Sequence, residues 1–185
     1  MAGKAMQIDT DLSLADFDFD LPSELIAQHP LADRAASRLL HVARGTFEDR
    51  HFSDIEWLLR DDDLLVFNDT KVINARLLGR KTSGGRVEAL IERVLEPTLA
   101  LAMVRTSHTP GPGTHLIFDE EVHATVEGRQ DDFFLLRFDR DVQSALAQHG
   151  LVPLPPYIEH AADSIDALRY QTVYAARPGA VAAPT

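Results

Sequence analysis

Four consecutive polar residues, Asn68-Asp69-Thr70-Lys71, directly follow an apolar run, Leu64-Leu65-Val66-Phe67, that is short enough for a buried strand. Polar side chains at the carboxyl end of a sheet strand are a common source of ligand contacts. In that reading Asn68, Thr70 and Lys71 contact a substrate, and Asp69 serves as a base or binds hydroxyl groups. The plainer alternative is an Asx-turn, in which Asn or Asp bonds its own backbone. Further on, Glu88 is a candidate base or amine partner, with an ion pair to a neighbouring arginine as its rival. Arg76, Arg80 and Lys81 are candidates for phosphate contact, since a guanidinium fork suits that geometry; plain strand-surface charge is the alternative. Gly79-Arg80-Lys81-Thr82 is only superficially like a phosphate loop, because the earlier glycine of that motif is missing.

Tyr157 follows Pro153-Leu154-Pro155-Pro156, a stiff segment that can present its ring for stacking on a base, worth ~1–3 kcal/mol, or can bury it with Ile158. Arg169, Gln171 and Tyr174 fall on the last predicted helix, where Tyr170 and Tyr174, four apart, would share a face. His108, His115 and His123 match no zinc spacing, and the chain contains no cysteine. No G-x-G-x-x-G follows a strand pattern, which argues against a dinucleotide fold.

The elements that must position these residues are legible in outline. Residues 1–16 read as a disordered leader, Phe17 to Leu21 as a short alternating strand, and Pro22 to Gln28 as one or two helical turns. Ser37–Arg44 and Phe47–Phe52 read as a hairpin turning at Gly45. Ser53, with Glu56 three residues on, forms a capping-box pattern for a helix through Arg60. After Asn68 short strand-like runs follow one another: 72–78, 86–95, 99–105, 115–118, 121–127 and 133–138. Gly/Pro punctuation at Gly84-Gly85, Pro110 to Gly113 and Gly128 suggests a small antiparallel barrel. A helix from Asp141 to His149 stops at Gly150, and Asp163 or Ser164 caps a final helix to about Ala176. The fold class expected is α+β, a larger α/β domain (residues 17–74 and 153–185) with an inserted small antiparallel β-barrel domain (75–152).

The formal net charge of −11 in 185 residues argues by itself against a nucleic-acid partner. The distribution changes that reading. Lys71, Arg76, Arg80, Lys81, Arg86 and Arg93 form a basic island that contains only Glu88 and Glu92 as acids. The absence of cysteine excludes disulfides and thiolate chemistry. No stretch approaches the ~20 apolar residues of a membrane helix, and no signal-peptide core opens the chain, so a cytoplasmic protein is expected.

Three stretches, in order, carry a family resemblance. They are Phe17-Asp18-Phe19-Asp20-Leu21-Pro22 on through Gln28-His29-Pro30 to Arg38-Leu39-Leu40; Asp63 to Leu77 with Gly84-Gly85; and Pro153-Leu154-Pro155-Pro156-Tyr157-Ile158 followed by Arg169-Tyr170-Gln171-Thr172-Val173-Tyr174 and Pro178 to Thr185. Together they resemble the S-adenosylmethionine:tRNA ribosyltransferase-isomerases of queuosine biosynthesis. Asn74 stands where that family usually shows proline, and His29 where tyrosine is common. In the family the closing Ala-Val-Ala-Ala-Pro-Thr leads into Ala-Gly-Leu-His-Phe and a second half, so the chain is expected to correspond to the N-terminal half.

The resemblance implies transfer of the ribosyl part of S-adenosylmethionine to preQ1 (7-aminomethyl-7-deazaguanine) at the tRNA wobble position. The product is epoxyqueuosine, with adenine and methionine released. It implies S-adenosylmethionine as substrate, no metal or redox cofactor, tRNA as partner, no membrane association and a monomer. On this reading Asp69 and Glu88 are catalytic. Asn68, Thr70, Lys71, Tyr157, Arg169, Gln171 and Tyr174 bind substrate, and Arg76, Arg80 and Lys81 bind tRNA. The Asn68 turn and the Tyr157 arm are expected to converge on one pocket. Two rival readings are a non-catalytic RNA-binding fragment built on the small β-barrel and an unrelated nucleotide-processing enzyme.

Overall fold

The computed structural model describes residues 12–43 and 45–182; most of the expected leader lies outside them. The described part opens with single 3-10 turns at Leu14–Phe17 and Ser23–Leu25. Strand β1 (Arg38–Ala43) pairs antiparallel with β2 (Thr46–His51), and Gly45 turns between them at φ +84°. A short helix α1 (Ile55–Leu58) follows. Strand β3 (Thr70–Val72) pairs in parallel with the last strand, β10 (Arg177–Ala180), so distant parts of the chain meet in one small sheet.

Between them six strands close into an antiparallel barrel: β4 (Arg76–Lys81), β5 (Arg86–Glu96), β6 (Leu99–Thr106), β7 (His115–Phe118), β8 (Val122–Gln130) and β9 (Phe133–Phe138), in the order β4-β5-β6-β9-β8-β7. Alternation decides which side chains go inside. Val87, Ala89 and Ile91 from β5 and Phe134, Leu136 and Phe138 from β9 are buried in one cluster with Leu77, Leu116, Phe118, Val122 and Val126. Register shifts in β5 between Ile91 and Arg93 and between Val94 and Glu96, and in β8 between Val126 and Gly128, supply the extra residues that bend long strands toward closure. The seam between β4 and β7 is tight. At Gly79 a Cβ would collide with the carbonyl oxygen of Ile117 and lie 2.8 Å from the Phe118 ring. Helix α2 (Val142–His149), capped where Asp141 accepts from the Ser144 N–H at 2.8 Å, adds Val142, Ala145 and Leu146 to the same cluster. Helix α3 (Ser164–Arg169) is capped by Asp163.

The expected α+β class with a small antiparallel barrel is what the chain forms, and several local expectations are corrected. Leu64–Phe67 is not a buried strand. It is irregular, with Leu64 87% and Val66 86% exposed, because the described residues offer it no ladder partner. Asp18–Leu21 is likewise irregular rather than a strand. The capping box after β2 is His51 with Asp54, not Ser53 with Glu56. The His51 N–H donates to Asp54 Oδ2 at 2.9 Å, and a 3-10 turn at Phe52–Asp54 delays the α-helix to Ile55, which then ends at Leu58 rather than Arg60. The final helix stops at Arg169; Gln171, two residues on, is held to the Val72 backbone by its amide, and residues 177–180 pair with β3. Gln171 and Tyr174 are therefore not helical, and Tyr170 and Tyr174 do not share a helix face.

Candidate active-site cleft

Inward packing of Leu77 and of Val87, Ala89 and Ile91 leaves Arg76, Leu78 and Arg80 of β4 and Arg86 and Glu88 of β5 on the outer face of the barrel. The register sets Leu78 beside Glu88, Arg80 beside Arg86, and Glu88 beside Arg105 of β6. Arg76 Nη2 forms an ion pair with Glu88 Oε1 at 2.9 Å, both groups being half-buried. This face forms one wall of a cleft of about 1050 Å³. Residues Ile158–Ala162 of the arm after Tyr157 form the other, with Arg86, Arg105, Thr106 and Ser107 along its lining.

The arm is held by side-chain amides. Gln28 Nε2 donates to the Tyr157 carbonyl at 2.9 Å, while Gln28 Oε1 accepts from the Glu159 N–H at 2.8 Å. His160 is fixed on both sides: Nδ1 lies 3.0 Å from the Ala161 carbonyl and Nε2 3.0 Å from the Gln28 carbonyl. Two carbonyl acceptors demand two ring donors, which only the imidazolium has. The Ala161 carbonyl, the Gln28 carbonyl and the carboxylates of Asp166 and Asp163 accordingly hold the His160 pKa above the ordinary histidine value, against partial burial. The ring stacks on His29 with centroids 4.4 Å apart.

The residues singled out in the sequence are spread over several places. Asn68 makes the Asx-turn: its Oδ1 accepts from the Thr70 N–H at 3.0 Å and the Thr70 hydroxyl at 2.7 Å. The Asp69 carboxylate lies 3.4 Å from Arg177 Nε, and its carbonyl accepts from the Ala176 N–H at 2.7 Å. Gln171 spends its whole amide on the Val72 backbone, accepting from the N–H at 2.9 Å and donating to the carbonyl at 2.8 Å. Lys71 and Gln171 line a second cleft of about 490 Å³ with Asn74 and Gln143. Tyr157 and Arg169 line a third, of about 220 Å³, which meets the main cleft at Ile158. Arg169 Nη1 donates to the Ala32 carbonyl at 3.1 Å, and Tyr174 packs edge-on against Phe67 at 4.9 Å. Arg80 is taken by Glu120 at 2.6 and 3.1 Å, and Lys81 donates to the His108 carbonyl at 3.1 Å.

The expected convergence of the Asn68 turn and the Tyr157 arm is therefore corrected. Among the described residues none of the principal clefts is lined by both; the arm faces Arg76 and Glu88 instead. Arg105 and His160, which complete this cleft, gave no local sequence signal, and Arg86 stood out only as part of the basic island. Among the described residues no group of three or more His, Asp or Glu side chains is arranged to hold a metal ion, and no helix is long and apolar enough to cross a membrane.

Comparison with known proteins adds the family. A family model described as "Queuosine biosynthesis protein" matches residues 14–185. An S-adenosylmethionine:tRNA ribosyltransferase-isomerase of Ralstonia pickettii is 56% identical over 178 residues, covering 94% of this chain and 50% of the relative. One of Herminiimonas arsenicoxydans is 54% identical over 173 residues, covering 94% and 51%. A solved S-adenosylmethionine tRNA ribosyltransferase from Thermotoga maritima is 36% identical over 77% of this chain and 52% of its own, with a TM-score of 0.39. The chain spans about half the length of the curated relatives it matches. Matched over all but its first residues, the chain belongs to the queuosine biosynthesis protein family.

Proposed function

We propose that the chain takes part in transferring the ribosyl moiety of S-adenosylmethionine to preQ1 in tRNA, forming epoxyqueuosine and releasing adenine and methionine. The observation that carries this reading is identity above 50% to proteins named S-adenosylmethionine:tRNA ribosyltransferase-isomerase, sustained over 94% of the chain. S-adenosylmethionine is then a substrate rather than a methyl donor, and the acceptor is a tRNA in the cytoplasm.

The chemistry needs a base near the sulfonium, donors for the departing adenine, and cations for phosphate. General acid–base help is worth ~10²–10⁴-fold when the group lies within hydrogen-bond reach. Of the two carboxylates singled out, Glu88 has the better position. It stands in a cleft large enough for a nucleoside, oriented by Arg76, whereas Asp69 sits beside Arg177 at the foot of the small sheet. Tyr157, 58% exposed at the neighbouring cleft, offers a free ring face for stacking on a base. Asn68, Thr70 and Gln171 hold the backbone that frames the second cleft, and Lys71 is exposed at its edge.

The reading is tested by incubating the protein with S-adenosylmethionine and preQ1-bearing tRNA and measuring free adenine. The assay is run on the chain alone and on the chain with the polypeptide that matches the rest of the relatives' length. Adenine release dependent on the preQ1 base is expected. No release in either arrangement contradicts the proposal. A non-catalytic RNA-binding role is favoured by one observation, the closed barrel with its own buried core; it predicts tRNA binding with no adenine released.

A further inference from the structure

We propose that Arg86 and Arg105, on the barrel wall of the main cleft, form the contact site for the phosphodiester backbone of the RNA substrate. The inference rests on the reading that the partner is tRNA and goes beyond it by naming the residues that hold the backbone.

The basic island of the sequence pointed to Arg76, Arg80 and Lys81. Within the fold each of these already has a partner: Glu88, Glu120 and the His108 carbonyl. Arg80 and Glu120 strengthen each other's charged forms, the carboxylate falling and the guanidinium rising in pKa through their mutual hydrogen bond. A phosphate arriving at Arg80 must displace a carboxylate. No hydrogen bond or ion pair among the described residues engages the guanidinium of Arg86 or Arg105, and both are exposed at the cleft.

Their spacing follows from the ladder. Arg105 is opposite Glu88, and Arg86 lies two residues from Glu88 on the same outer face, so the two arginines are diagonal neighbours on adjacent strands. Such positions are about 7–8 Å apart, a reach that lets two guanidinium forks grip one RNA strand, each in the bidentate geometry that suits phosphate. One further donor in this wall lacks a partner: Arg76 Nε is buried without a hydrogen bond, a rare condition for buried polar groups. The opposite wall adds the doubly hydrogen-bonded His160 ring, whose pKa its carbonyl partners raise. Against these stand Glu88, already paired, and Glu159. The cleft is thus a cationic slot in a strongly acidic protein, and counter-ion release there drives association with a polyanion.

The test is fluorescence-monitored binding of a tRNA transcript to the 185-residue chain across a salt series. Wild type should show a steep fall of log K with log salt. R86A/R105A should lower the slope by about one unit per arginine, R86K/R105K should restore most of it, and R80A should leave it unchanged. Inorganic phosphate at matched ionic strength should not displace the RNA. The proposal is overturned if wild type shows no salt-dependent binding, if R86A/R105A keeps the wild-type slope with an unchanged circular dichroism spectrum, if R80A alone abolishes it, or if inorganic phosphate competes stoichiometrically. The parent reading is judged separately by adenine release. An arginine-dependent slope without adenine release keeps the phosphate site and removes the transferase.

Discussion

His160 shows how a single residue can set the shape of a cleft. Its two ring nitrogens meet two carbonyls, one on the arm and one on the Gln28 loop, so protonation ties those segments together. Its folded pKa is raised, first by the Ala161 carbonyl, with Asp166 and Asp163 as the facing carboxylates and His29 stacked on the ring. The sign follows by linkage. The contribution to stability is complete below the unfolded value near 6.5 and disappears as pH rises through the raised folded value. Urea midpoints measured from pH 5.5 to 8.5 should therefore fall more with pH for wild type than for H160A; parallel profiles would contradict this. Gln171 makes a comparable point with a neutral group. Its amide replaces a strand neighbour for Val72 through two hydrogen bonds. At ~0.5–1.5 kcal/mol each, Q171A should lose about 1–3 kcal/mol in chemical denaturation, and a loss near zero would show that water substitutes freely.

The elements differ in how much of their position the sequence carries. β7 and β9 lie where the short strand-like runs put them, His115–Phe118 and Phe133–Phe138, because each apolar run is only a few residues long and is bounded by turn residues. The seam at Gly79 is a long-range matter, since the obstacle to a side chain is the Ile117 carbonyl on another strand. G79A should lower stability by roughly 1–3 kcal/mol or prevent folding; an unperturbed urea midpoint would mean that the seam yields. The α2 cap is local, and D141A should cost ~1 kcal/mol. The misjudged elements share a cause. Leu64–Phe67 has the composition of a core strand, but composition cannot say whether a neighbouring strand exists, and the His51–Asp54 box and the short α3 were settled by a 3-10 turn and by the Gln171 amide bonding to the Val72 backbone. The candidate site was legible in residue type more than in place. Arg76 and Glu88 were visible as chemistry, but their union with His160, some seventy residues on, depends on the barrel register and on Gln28 reaching across to the arm.

At the scale of the whole molecule the chain is uneven. The barrel closes on its own core, while Trp57, Leu64, Val66, Leu168 and Val173 are each more than 70% exposed. Where such residues form a contiguous patch, they mark a surface that binds something or aggregates. The relatives run to about twice this length, and we propose that their remaining polypeptide covers it. The chain alone should bind a hydrophobic dye, and L64D/V66D should reduce that signal without moving the barrel's unfolding midpoint; dye binding unchanged by the double substitution would place the apolar face elsewhere. We propose that the chemistry belongs to the cleft between barrel and arm, with Glu88 as its carboxylate. The most direct measurement is the rate of adenine release, under conditions that support turnover, for E88Q and D69N beside wild type. A loss of ~10²–10⁴-fold for E88Q, with D69N reduced only a few-fold, is the predicted result; wild-type rates in E88Q, or the larger loss in D69N, would move the reaction out of this cleft.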